Sequence, residues 1–365
     1  MRSAFIVAAF AGITSANPIA SRDTSAQTDL IDLSAFDAAP KVTKTGPAMG
    51  ATAEKPTYNQ AQRVAAAAKD AITDPVSTPN TAVSRRDSSC SGANREPTGY
   101  GPVSSPDTYD TFMADPQFDA IAKAAKAPYG YELAFTSVNG SMEGQGYQGL
   151  YTLQSYDAVK CQQYCDAAPA CMGFNIFMER NPALTPSDSC VNPGSTTNYK
   201  CTLWGAGVSQ ASATNVGQWR NDFHVGIRGS NGYNKIAPPP SYTNFTGPAA
   251  FDGATQAPYS YMGVKYFAGV FDPSQCASAC QATTQYDRGH PNGDGTYDAC
   301  NFFNAYVLNV NGVPQGTTCS MYTRAWDRSY STNIGQWRGT DYYSVSYSFG
   351  YTLNPQDSGR VSASN

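Results

Sequence analysis

The sequence predicts an α+β protein built from two small disulfide-braced modules, each with one helix packed on a short antiparallel sheet. Three observations carry that expectation: an ordered internal repeat, cysteine pairs at helical spacing behind an N-capping aspartate, and short aromatic and branched runs that suit strands. The repeat comes first because it sets the architecture. Tyr156-Asp157 followed by Cys161-x-x-x-Cys165 recurs as Phe271-Asp272 followed by Cys276-x-x-x-Cys280. Cys171-Met172-Gly173-Phe174-Asn175 matches Cys300-Asn301-Phe302-Phe303-Asn304, and Cys201-Thr202-Leu203-Trp204 matches Cys319-Ser320-Met321-Tyr322. Asn215-Val216-Gly217-Gln218-Trp219-Arg220 returns as Asn333-Ile334-Gly335-Gln336-Trp337-Arg338, and Ala127-Pro128-Tyr129-Gly130-Tyr131 as Ala257-Pro258-Tyr259-Ser260-Tyr261. The modules are placed at residues 129–235 and 257–351.

Within each module Asp157 or Asp272 stands where a carboxylate accepts from the free amides of a helix start, and Pro273 suits the first helical position. Cysteines four residues apart then share one helix face. Met172 to Met178 and Phe302 to Val307 read as strands buried on both faces, because their alternation is imperfect. A second strand begins at Cys201 or Cys319. A third follows each Gly-Gln-Trp-Arg, at Asp222 to Ile227 and Tyr342 to Tyr347.

The order Cys-x-x-x-Cys on a helix, Cys-x-x-Phe-Asn, then Cys-x-Leu or Cys-x-Met resembles the PAN/apple domain superfamily, and extracellular fungal proteins with duplicated units of this kind. The likeness spans Tyr129 to Ile227 and Tyr259 to Tyr347. It implies bridges Cys161–Cys201, Cys165–Cys171, Cys276–Cys319 and Cys280–Cys300. The loop from Gln281 to Ala299 is longer than its counterpart and departs from a compact apple domain. Cys90 and Cys190 are left over among ten cysteines, and a bridge between them is the simplest closure.

The flanking segments place the chain in an oxidising compartment. Residues 1–16 read as a signal peptide, with Arg2 before the apolar stretch Ala4 to Ile13 and small residues Thr14-Ser15-Ala16 at its end. That stretch is too short to cross a bilayer, which takes about twenty apolar residues. Residues 17–86 lack cysteine and tryptophan and read as a low-complexity, propeptide-like segment with too little apolar surface to offset ordering. Its one helical candidate is Ala61 to Ala71. The dibasic pair Arg85-Arg86 predicts processing, against the alternative of an arginine pair in a solvated linker. Residues 87–128 form an N-terminal extension with a short helix behind a proline turn, 236–256 a Pro-rich linker, and 352–365 a flexible tail. With cysteines even in number and disulfides the default, a thiol catalyst is not expected.

The formal net charge of −4, spread without blocks, gives no footprint for nucleic acid. His224 and His290 are the two histidines, and neither has a partner set for zinc or nucleophilic chemistry. Asn292, Asp294, Thr296 and Asp298 alternate in a Gly-rich loop without the order or closing Glu of a calcium loop. No metal and no cofactor is expected. Asn139-Gly140-Ser141 and Asn244-Phe245-Thr246 are glycosylation sequons.

The duplicated Trp219-Arg220 and Trp337-Arg338 are the candidate ligand residues, since an indole face stacks on a sugar ring while a guanidinium bonds hydroxyls or a carboxylate. The structural alternative is an indole that plugs the core and an arginine in a fixed bond. The function expected is non-enzymatic recognition of an extracellular glycan or protein at a cell wall or surface. The alternatives are a secreted carbohydrate-active hydrolase, for which no motif selects a carboxylate pair, and a structural wall glycoprotein.

Overall fold

The structure, a computed structural model, describes residues 30–72 and 95–361. Among them are fourteen strands in three sheets and six helices. This corrects the expectation of two small helix-on-sheet modules. The protein is a larger β-rich fold, and segments outside the expected modules complete both large sheets.

The first sheet runs β1-β3-β5-β4-β8-β2, with β1 at Ala53–Glu54, β2 at Tyr131–Val138, β3 at Tyr147–Leu153, β4 at Gly173–Pro182, β5 at Ser195–Trp204 and β8 at Gly226–Lys235. The second runs β10-β12-β11-β14-β13, with β9 also on β14. Its strands are β9 at Phe245–Phe251, β10 at Tyr261–Ala268, β11 at Phe302–Val310, β12 at Val313–Tyr322, β13 at Gly335–Arg338 and β14 at Asp341–Leu353. Every pairing is antiparallel. The duplicated core is therefore five strands, β3-β5-β4-β8-β2 and β10-β12-β11-β14-β9. A two-stranded hairpin, β6 at Trp219–Arg220 with β7 at Phe223–His224, stands apart.

A buried asparagine in each copy sets the correspondence. Asn175 accepts from Met142 N–H at 2.9 Å and donates to Ser230 Oγ at 2.7 Å and Asn231 O at 2.9 Å. Asn304 accepts from Thr255 N–H at 2.9 Å and donates to Ser348 Oγ at 2.9 Å and Phe349 O at 3.2 Å. Met142 thus answers to Thr255, and β2 to β9. The Ala-Pro-Tyr match leads into β2 in one copy and into β10 in the other, so it does not carry equivalent strands. β9 lies inside the stretch read as a linker, leaving residues 236–244 and 252–256 outside helices and strands.

Helix α5 (Ala158–Ala167) is capped by Asp157, whose side chain accepts from Lys160 N–H. Helix α6 (Pro273–Gly289) is capped by Asp272, with Pro273 in its first turn. The longer loop expected after Gln281 is in part helix, because α6 continues to Gly289. Disulfides join Cys161 to Cys201, Cys165 to Cys171, Cys276 to Cys319 and Cys280 to Cys300, so each helix is stapled to its own sheet. Cys190 is also disulfide-bonded, while Cys90, Arg85, Arg86 and the stretch read as a signal peptide lie outside the described residues.

The extension is part of the first core. Helices α3 (Tyr109–Ala114) and α4 (Pro116–Ala124) bury Phe112 and Phe118 with Phe174 and Ile176. Each phenyl contributes about 1.5–3 kcal/mol. Buried Arg180 meets Asp107 at 2.9 Å and buried Arg228 meets Asp119 at 2.9 Å, which pins the extension to β4 and β8. The two large units also touch directly: Gly205 O accepts from Phe271 N–H at 2.8 Å, and Gln145 donates to Gln315 at 2.9 Å.

Residues 30–72, composed like a propeptide, are ordered against both units. They form α1 (Ser34–Ala38), β1 on the edge of β3, and α2 (Gln60–Asp70) on α6. Among the described residues no helix is long and apolar enough to cross a membrane.

Candidate functional site

Each Gly-Gln-Trp-Arg sits on a hairpin that approaches its sheet closely. A Cβ on Gly217 would stand 2.1 Å from Val225 O, and one on Gly335 would stand 2.7 Å from Tyr343 O, so both backbone approaches call for glycine. Asn215 and Asn333 side chains accept from Gly217 N–H and Gly335 N–H, both at 3.0 Å, and shape the entry to each hairpin in the same way. Trp219 then pairs across its hairpin with His224, and Trp337 with Tyr342.

Both indoles face solvent, Trp219 at 62% and Trp337 at 70% exposure, whereas Trp204 and Trp326 are buried. The core-plug reading is thus excluded for the repeated pair. Trp219 stacks on His224 with ring centres 4.1 Å apart and planes 14° apart, and His224 stacks in turn on Tyr109 at 3.6 Å and 16°. The three rings form a near-parallel stack in which the indole is the most exposed member. Trp337 leans on Tyr342 at 5.1 Å and 46°.

Two further residues belong to this surface. Val216 and Ile334, at equivalent places, are 56% and 62% exposed. Each site therefore presents a β-branched side chain and an indole three residues apart. The signal was present in the sequence as Asn-[Val/Ile]-Gly-Gln-Trp-Arg, but an apolar residue next to glycine is ordinarily read as buried. A shallow, open cavity of about 270 Å³ lies beside the second site, lined by Gln256, Thr332, Asn333, Ile334 and Gly335.

The arginines do something else. Adjacent strand residues point to opposite faces, so Arg220 turns away from its indole and meets Glu96 at 2.7 Å, with both side chains largely buried. Arg338 pairs with Asp37 at 2.6 Å on a half-exposed surface. The structure therefore splits each Trp-Arg pair into an exposed indole and a committed cation.

The sequon residues Asn139 and Asn244 are both exposed. Asn292, Asp294 and Thr296 satisfy one another in a turn, Asp294 accepting from the Thr296 amide at 3.0 Å and hydroxyl at 2.6 Å. His290 stacks on Tyr286 and bonds its carbonyl oxygen at 2.9 Å. Among the described residues no group of three or more His, Cys, Asp or Glu could hold a metal ion.

Desolvation, and then the nearby Arg180 charge, lower the pKa of His224 below its ordinary value, with Asp110 opposing. Because the folded value is lower than the unfolded one, acidification below about pH 6.5 favours the unfolded chain and weakens the stack. The emission lost on Trp219→Phe should show a protonation midpoint under pH 6.5 that disappears in His224→Gln. A midpoint above 6.5 would mean that the flanking ring faces stabilise the imidazolium by more than desolvation costs it.

No family model, no curated protein and no solved structure matches this chain.

Proposed function

We propose that this chain is a secreted, non-enzymatic recognition protein that binds extracellular glycans through Trp219 and Trp337. The observation that carries the reading is the duplicated exposure of these indoles. Burying such a side chain would contribute about 1.5–3 kcal/mol, and the fold forgoes that twice, at corresponding positions, while holding each ring against a second aromatic. An exposed indole face suits the C–H face of a pyranose, and a ring already packed against a second aromatic has less side-chain entropy to lose on binding. The disulfides accord with an extracellular place.

The test is binding of soluble chitin, β-glucan and mannan oligosaccharides to the full chain, measured by calorimetry beside Trp219→Ala, Trp337→Ala and the double variant. Each single substitution should remove one of two sites, and the double variant should bind at least tenfold more weakly. Equal binding by a normally folded double variant sinks the reading. Release of new reducing ends would replace it with a hydrolase.

A further inference from the structure

We infer that residues 30–72 are a peptide ligand of the two-sheet body, and that the surface they occupy is a binding site for a polypeptide segment of this kind. The segment's first part crosses the helix-free face of the second sheet, where Ile31 and Leu33 are buried with Tyr306, Leu308 and Tyr343. Phe36 packs edge-on against Tyr266 and Tyr343. Its middle reaches the first sheet, where Thr45 bridges Gly144 and β1 extends the edge of β3. Its last part returns to the second unit, where Tyr58 and Gln60 donate to Asp272 at 2.6 and 3.1 Å.

The body holds this segment partly by bonds from body side chains to its backbone, and partly through side-chain pairs such as Tyr147 with Glu54 and Tyr261 with Asp32. The Gln336 amide both donates to Ile31 O, at 3.1 Å, and accepts from Ile31 N–H, which copies a strand pairing with a side chain. Thr152 donates to Thr52 O at 2.7 Å, Lys200 to Ala51 O at 2.5 Å, Ser278 to Val64 O at 3.0 Å and Lys265 to Asp70 O at 3.2 Å. The contacts at Ile31, Ala51 and Thr52 accommodate varied sequence, those at Val64 and Asp70 fall on helix α2, and pockets for apolar side chains select among sequences.

The body is braced without the segment. The four described bridges lie within 161–319, residues 17–86 contain no cysteine, and neither helix-side core includes a residue of the segment. Each motif arginine also meets it. Arg338 pairs with Asp37, and a Cβ on Gly50 would stand 3.7 Å from the Arg220 guanidinium. The partner that fits is a polypeptide that enters extended and closes in a helical turn, with apolar anchors spaced like Ile31, Leu33 and Phe36, followed by a carboxylate placed like Asp37.

The test uses the full chain with a specific protease site introduced between residues 73 and 86. After complete cutting, the N-terminal fragment should co-elute with the body at micromolar concentration. It should then exchange with labelled synthetic peptide 30–72, while the body keeps its near-ultraviolet circular dichroism. Gln336→Ala combined with Phe36→Ala should speed fragment loss at least tenfold. Separation of the fragment on cutting, or loss of the body's tertiary signal once it is displaced, would overturn the inference.

Discussion

Asn175→Ala should destabilise the first unit by about 3 kcal/mol, and Asn304→Ala should do the same to the second. Each substitution strands a fully buried backbone amide, Met142 N–H or Thr255 N–H, at about 1–3 kcal/mol. It also removes the donor shared by Ser230 and Asn231 or by Ser348 and Phe349. Asparagine is suited to this place because one planar amide accepts on one side and donates twice on the other. Asn175→Asp should cost at least as much, since it loses the donor and buries a charge. Denaturant unfolding followed by near-ultraviolet circular dichroism checks the pair, and a loss under about 1 kcal/mol for either alanine variant would show that the hub is dispensable.

The second large effect concerns the staples. Replacing Cys161 and Cys201 together by alanine opens a loop with a sequence separation of 40, and the chain-entropy relation gives a loss of about 4 kcal/mol. Replacing Cys165 and Cys171, with a separation of 6, should cost about 2 kcal/mol by the same relation. The expected ranking follows from loop length, because both bridges leave comparably buried sulfur positions when removed. Midpoints of urea unfolding at matched slopes would measure it. If the short bridge proves as costly as the long one, strain or packing rather than loop closure governs the first unit.

Much of the local structure was legible. Asp157 and Asp272 act as caps because a carboxylate at a helix start is a local device, readable within four residues. The pairs of cysteines at i and i+4 mark a buried helix face for the same reason. The sheets were read too small because their strands hide their period. β4 is buried at nearly every position, so alternation vanishes, and β8 is a buried strand composed as Gly-Ile-Arg-Gly-Ser-Asn-Gly-Tyr-Asn-Lys. Hydrogen bonds and ion pairs that satisfy Arg228, Ser230 and Asn231 there come from distant residues, Asp119, Asn175 and Ala122.

The linker stretch holds β9, and residues 30–72 hold α1, β1 and α2, elements that composition does not signal. Composition measures how much apolar surface a segment has, not where it lands. Ile31, Leu33 and Phe36 are few, but they enter a face already lined by Tyr306, Leu308 and Tyr343. The match between Ala127-Pro128-Tyr129 and Ala257-Pro258-Tyr259 drew the second copy's boundary past β9, because five similar residues outweighed a strand whose only signature is its partner.

By itself the sequence determined that the chain carries a duplicated, cysteine-stapled helix and strand set, and that Gly-Gln-Trp-Arg is its most regular feature. These follow from short-range chemistry, caps, spacing and glycine. Tertiary structure alone decided what that motif presents. It turned Trp219 and Trp337 to solvent and committed Arg220 and Arg338 to carboxylates from Glu96 and Asp37, residues more than a hundred positions away. Exposure and pairing depend on which surfaces meet, and that is set by the packing of the whole chain.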